Sequence, residues 1–95
     1  MNTLTLSELC WRVSLPEHTV LEIINVGIIE PLPGTAKAWQ FEDWTVLVLA
    51  RATRLHDDLA LDWPGVALAL QLIEEIDTLR RENEQLRQRL NRFLG

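Results

Sequence analysis

The chain has 95 residues, enough for one domain with a core of modest size, and a hydrophobic content of 47% with only four glycines and four prolines indicates a folded, mainly helical protein. A net charge of −5 argues against a nucleic-acid binder, whose affinity rests on Lys and Arg displacing counterions from phosphate. The single cysteine, Cys10, excludes an internal disulfide and suits a reducing compartment. No run approaches the roughly 20 apolar residues of a membrane-spanning helix. The opening residues MNTLTLSELC lack the basic flank and apolar run of a signal peptide, so a cytoplasmic protein is expected.

Thr5-Leu-Ser-Glu8 is a capping box and predicts a first short helix over TLSELCWRV, with Leu4, Leu6, Leu9 and Val13 on its apolar side. The stretch SLPEHTVLEIINVG repeats the signal: Ser14 and Glu17 form a second box, Pro16 fits a first turn, and Gly27 stands where a left-handed cap ends a helix. Two short capped helices about three residues apart predict a helix-turn-helix. In a DNA reader the second helix lies in the major groove. Here that helix carries Glu17, His18 and Glu22, and no Lys or Arg.

Residues 27–31 leave the second helix as an extended segment, the Pro33-Gly34 pair marks a turn, and Ala38-Trp-Gln-Phe41 alternates apolar and polar like a short strand. Two short strands about this turn predict a small β wing. Glu42-Asp43-Trp44 then opens a third helix, with acids in its first turn where the macrodipole favours them, running to about His56. This helix is apolar on nearly every side, as expected of one that needs the tail or a partner to cover it.

Residues 57–62 read as a loop with three acids and two leucines, and Asp62 caps a last helix with Trp63 and Pro64 in its first turn. No proline follows, so the helix is predicted to run about thirty residues, about 45 Å. Within it Leu72, Ile76, Leu79, Asn83, Leu86, Leu90 and Phe93 alternate spacings of four and three, a coiled-coil seam. The first six are the dimerisation candidates, with Asn83 at a seam position that sets register. Glu75 and Glu82 pair favourably with Arg80 and Arg87 in a parallel dimer, whereas an antiparallel one sets Glu75 against Arg89, so both orientations stay open. The expected organisation is a head over 1–61 and a dimerising helix over 62–95.

Residues 1–65 hold four basic groups (Arg12, Lys37, Arg51, Arg54) against nine acids, while residues 66–95 hold five of each, so the whole excess lies on the head. Such a surface repels DNA and attracts a basic protein face. Asp57, Asp58 and Asp62 beside Leu59 and Leu61 combine charge with apolar anchors and are the first partner-binding candidates; Glu17 and Glu22 are the second. No nucleophile–base pair, phosphate-cradling glycine loop or zinc spacing is present, and neither a cofactor nor a metal is expected. His18 and His56 read as ordinary surface or satisfied histidines, Cys10 as a small core residue, Trp39 and Trp44 as packing between wing and third helix, and Trp11 and Trp63 as partly exposed.

Several local words, Thr5-Leu-Ser-Glu-Leu9, Gly27-Ile-Ile-Glu-Pro31, Trp39-Gln-Phe41 and Asp62-Trp-Pro-Gly-Val66, resemble those of MerR-like winged-helix domains in the same order. MerR-type regulators carry an Arg-Tyr-Tyr-like word in the second helix and an Arg between two aromatics in the wing. The matching stretches here, Val20-Leu-Glu-Ile-Ile24 and Trp39-Gln-Phe41, lack those basic groups. A MerR-like head without its DNA chemistry, followed by a helical tail, resembles the chaperone-modulator family CbpM. The resemblance implies a non-enzymatic bacterial regulator that binds the J-domain of a DnaJ-like co-chaperone of CbpA type. It further implies that this binding blocks stimulation of the Hsp70 partner DnaK and restrains the co-chaperone's own DNA binding. The alternative is a MerR-like transcription regulator reading DNA as a dimer.

Overall fold

The computed structural model describes residues 2–95 and is mainly helical. A short strand β1 (Thr3–Thr5) leads into α1 (Leu6–Val13) and α2 (Glu17–Asn25). A long connection reaches β2 (Gln40–Glu42), then α3 (Thr45–Leu59) and the 32-residue α4 (Trp63–Leu94).

The first capping box forms as its residues dictate. The Glu8 amide donates to Thr5 Oγ1 at 3.1 Å, and the Thr5 amide donates to Glu8 Oε1 at 3.0 Å. The Thr5 amide, and after it the Thr5 hydroxyl, hold the Glu8 carboxyl below its ordinary range. The second predicted box does not form. Ser14 is the left-handed C-cap of α1, at φ 57°, with its amide on the Trp11 carbonyl (3.3 Å) and the Leu15 amide on that of Cys10 (3.2 Å). A three-residue turn lets Ser14 close one helix or open the next, and it closes α1. Pro16 stands at the N-cap of α2 instead, its carbonyl accepting from Thr19 and Val20 (3.1 and 3.2 Å). At the far end of α2, Gly27 takes φ 86° and bonds to the Ile24 carbonyl (3.0 Å), while Ile28 bonds to that of Ile23 (3.3 Å). This is the expected glycine stop in Schellman form.

The wing differs from expectation in its pairing. β2 forms an antiparallel ladder with the N-terminal β1, Leu4 opposite Phe41, rather than with residues 27–31. Pro31 and Pro33 have no N–H to give, so the near leg of the wing contributes only the bond from the Leu32 amide to the Gln40 carbonyl, at 2.8 Å. Thr35 organises the loop: its hydroxyl donates to the Leu32 carbonyl (2.6 Å) and accepts from the Gln40 amide (3.3 Å).

Recruiting Glu42 into β2 moves the start of α3. Trp44 is its N-cap, without a side-chain acceptor, and neither Glu42 nor Asp43 lies in the first turn. At the other end α3 continues beyond His56 through Leu59, so Asp57, Asp58 and Leu59 are helical and not a loop. Only Ala60, Leu61 and the cap Asp62 connect α3 to α4, and Ala60 is left-handed at φ 51°. An alanine there costs about 1 kcal/mol that glycine avoids. Ala60→Gly is therefore expected to raise the melting temperature by a few degrees. No rise would show that this geometry is not what closes α3.

One core joins every element: Leu4, Leu9, Val20, Ile23, Ile29, Phe41, Leu49 and Ala52, completed by Trp63 and Val66 from the first turn of α4. Asp62 caps α4 as predicted, Oδ1 accepting from the Gly65 amide at 2.8 Å. Trp63, expected to be partly exposed, is buried, with its ring stacked on His56 at 4.2 Å between centroids. Beyond Ile73 the helix leaves the head, and residues 74–95 are exposed throughout.

Candidate protein-interaction site

Three surfaces carry the chemistry singled out in the sequence. The first is the corner where α3 meets α4. Asp57, Asp58 and Leu59 are exposed there, and His56 Nδ1 lies 3.2 Å from Asp57 Oδ1. Two aspartates in the last turn of α3 oppose the helix dipole, whose negative end favours cations. Together with the left-handed Ala60, they make this corner locally unfavourable. Local conflict of this kind is common at functional sites. Leu61 and Asp62 are committed otherwise: Leu61 packs on the core and Asp62 caps α4. The free part of the corner is thus Asp57, Asp58 and Leu59.

The second surface is α2. Val20 and Ile23 face inward, while Glu17, His18, Leu21 and Glu22 face solvent. Glu17 lies near Cys10; burial first, and the Glu17 charge second, push the Cys10 thiol above its ordinary value. A thiol so raised is a poor nucleophile at neutral pH. Among the described residues no hydrogen bond or ion pair links Glu17 or Glu22 to the Asp57–Asp58 corner, and α2 packs chiefly on α1. The two candidate groups are separate surfaces.

The third is the seam of α4. Leu72, Ile76, Leu79, Leu86 and Leu90 are each about half exposed or more, Phe93 is 87% exposed, and Asn83 is exposed among them. A helix keeping this stripe bare on a single chain is built to be covered.

Sequence reasoning missed one apolar feature on the head. Trp44, expected to pack between the wing and the third helix, is 54% exposed, and Leu47, on a helix expected to need further cover, is 70% exposed at the start of α3. Trp44 instead donates its indole N–H to the Glu42 carboxylate, while Trp39 packs edge-on against Phe41 with centroids 6.4 Å apart. The all-round apolar pattern of α3 was the available signal, since it exceeded what so small a head can bury.

The basic residues of the head are few and all exposed: Arg12 on α1, Lys37 in the wing loop, and the neighbouring Arg51 and Arg54 on α3. None stands on α2. Among the described residues no cluster of three His, Cys, Asp or Glu could hold a metal ion, and no helix is long and apolar enough to cross a membrane.

Comparison with known proteins agrees with this geometry. Residues 4–88 match the family described as MerR HTH family regulatory protein. The chain is 46% identical over 92 residues to the chaperone modulatory protein CbpM of Citrobacter koseri, covering 97% of this chain and 91% of that one. It is 47% identical over 93 residues to the proteins of the same name from Salmonella arizonae and Salmonella newport, covering 98% of this chain and 92% of each. With a helix-turn-helix head lacking basic groups on α2 and a long exposed tail helix, the chain belongs to the chaperone modulatory protein CbpM family, on a MerR-like scaffold.

Proposed function

We propose that this protein binds the J-domain of a DnaJ-like co-chaperone of CbpA type, keeps it from stimulating its Hsp70 partner DnaK, and restrains the co-chaperone's DNA binding. Residues 1–61 supply the partner surface and residues 62–95 pair two copies into a homodimer. The observation that carries the reading is the inversion of charge on a DNA-reading scaffold. The would-be recognition helix presents Glu17 and Glu22 with no Lys or Arg, and residues 1–65 bear the entire excess of negative charge. J-domains engage Hsp70 through a basic helix, and an acidic surface competes for it by electrostatic complementarity. No reaction is assigned to the protein; its output is occupancy of the J-domain.

The same inversion weakens the DNA-reading alternative. Four cations release few counterions, and α2 would bring carboxylates to the phosphates.

Calorimetry with purified J-domain tests the reading. Affinity is expected to fall as salt shortens the screening length from about 10 Å at 0.1 M to about 3 Å at 1 M. Reversing the corner with Asp57→Lys and Asp58→Lys together is expected to weaken binding roughly ten- to a hundredfold. Unchanged affinity in the double variant would remove the α3–α4 corner from the interface. A protein that ignores the J-domain at any salt would end the proposal.

A further inference from the structure

The acidic corner supplies charge but little apolar area, since Leu61 and Asp62 are committed to the fold. Affinity between proteins is concentrated in desolvated anchors, among which tryptophan is over-represented. We infer that Trp44 and Leu47 form the apolar anchor of the head, and that a basic amphipathic helix of the partner seats across them. The inference rests on the J-domain reading above and adds a second contact about 20 Å along α3 from Asp57 and Asp58, so that corner and anchor meet different parts of the J-domain.

Four observations support it. First, the two side chains are one turn apart on α3 and stand side by side in solvent, 54% and 70% exposed. Second, the Trp44 indole N–H has the Glu42 carboxylate as its partner, so the ring's one polar atom is satisfied within the head and its apolar surface is left for a partner. Third, Trp44 borders a shallow groove of about 340 Å³ walled by residues 27–33. Pro31 and Pro33 stiffen that wall, and the Schellman cap at Gly27 anchors its beginning.

Fourth, the rim is acidic: Glu30 and Glu42 line the groove and Asp43 is exposed between β2 and α3. Carboxylates around an apolar floor select a helix whose Lys or Arg residues flank an apolar ridge, and they repel nucleic acid. Arg51 and Arg54 lie one and two turns beyond Leu47 and are exposed, so they set the limit of the seat. A basic helix laid along α3 would meet them; one crossing its first turn would not.

Trp44 has little structural duty to confuse the test, being exposed and outside the buried core. The experiment titrates purified J-domain into the wild-type protein and into Trp44→Ala, Leu47→Ala, Trp44→Phe and Trp11→Ala variants. Calorimetry is combined with the indole N–H resonances of the nitrogen-15-labelled protein. Trp44→Ala is expected to weaken binding roughly thirtyfold and Trp44→Phe much less. Trp11→Ala, which alters the still more exposed tryptophan of α1 (81%), should leave affinity unchanged, and the Trp44 indole resonance should move on titration.

Wild-type affinity in both Trp44→Ala and Leu47→Ala would overturn the anchor while leaving the J-domain reading intact. Loss of self-association in Trp44→Ala, with J-domain affinity unchanged, would make a second copy the occupant and equally overturn it. A wild-type protein that does not bind the J-domain would overturn both.

Discussion

Phe41→Ala is expected to destabilise the head more than any other single truncation on the wing side of the core. Its ring is fully buried, sits opposite Leu4 in the β1–β2 ladder and takes the edge of Trp39. Truncating a buried phenylalanine costs about 3–5 kcal/mol in lost transfer energy and cavity. A domain of this size is stable by only some 5–14 kcal/mol. Position 41 also ties together segments 37 residues apart, since β1 and β2 lie on either side of both short helices. The loss should therefore propagate to the docking of β1 and of α1 behind it. Thermal denaturation is expected to show a fall of at least about 12 °C. A fall of under about 5 °C would mean that the wing is peripheral to the core.

Leu79→Asp is expected to convert the protein from dimer to monomer. The side chain lies mid-seam, between Ile76 and Asn83, and is 62% exposed on the single chain. In a paired tail two aspartates would be buried facing apolar neighbours, at a cost of several kcal/mol. Most helical stability in proteins comes from packing of an apolar face, which the unpaired tail would lack. The variant should thus lose helicity beyond the head as well as its partner. Sedimentation equilibrium at tens of micromolar should give the dimer mass for the wild type and the monomer mass for Leu79→Asp. Far-ultraviolet circular dichroism should show the accompanying fraying. Monomeric wild-type protein would refute the dimer, and with it the assigned role of residues 62–95.

What the sequence made legible was mostly local. The Thr5–Glu8 box, the Gly27 stop and the Asp62 cap each depend on contacts within five residues, and all three form as expected. The seam was equally plain, because period alone carries it. The failures have physical causes. Ser14 can serve either end of a short turn, and the packing of α1 against α2 decides which. The partner of β2 lies 37 residues away, as the bond from Thr3 to Gln40 shows, and no local pattern names it. Nor does a local pattern say which side of an all-apolar helix the head will cover, so Trp44 was expected against the wing, Trp63 partly outside, and Leu47 was not singled out. The acidic corner was legible as charge, but its division into exposed Asp57, Asp58 and Leu59 against committed Leu61 and Asp62 follows only from tertiary packing.

The passage of α4 from head to tail has a mechanical consequence. Trp63 and Val66 are fixed in the core, and from there to Leu72 the helix contains neither glycine nor proline that could act as a hinge. Pairing two tails would then mount the heads like spokes on one axle, each at a bearing dictated by the seam. Such a body presents its partner surfaces in duplicate at a set span. A two-armed partner would be gripped at both points, with an effective concentration for the second contact that can reach the millimolar range. Inserting two or three residues into the helix just before Leu72 would turn each head about its own helix by about 200° or 300° relative to the seam while leaving every partner-binding side chain unaltered.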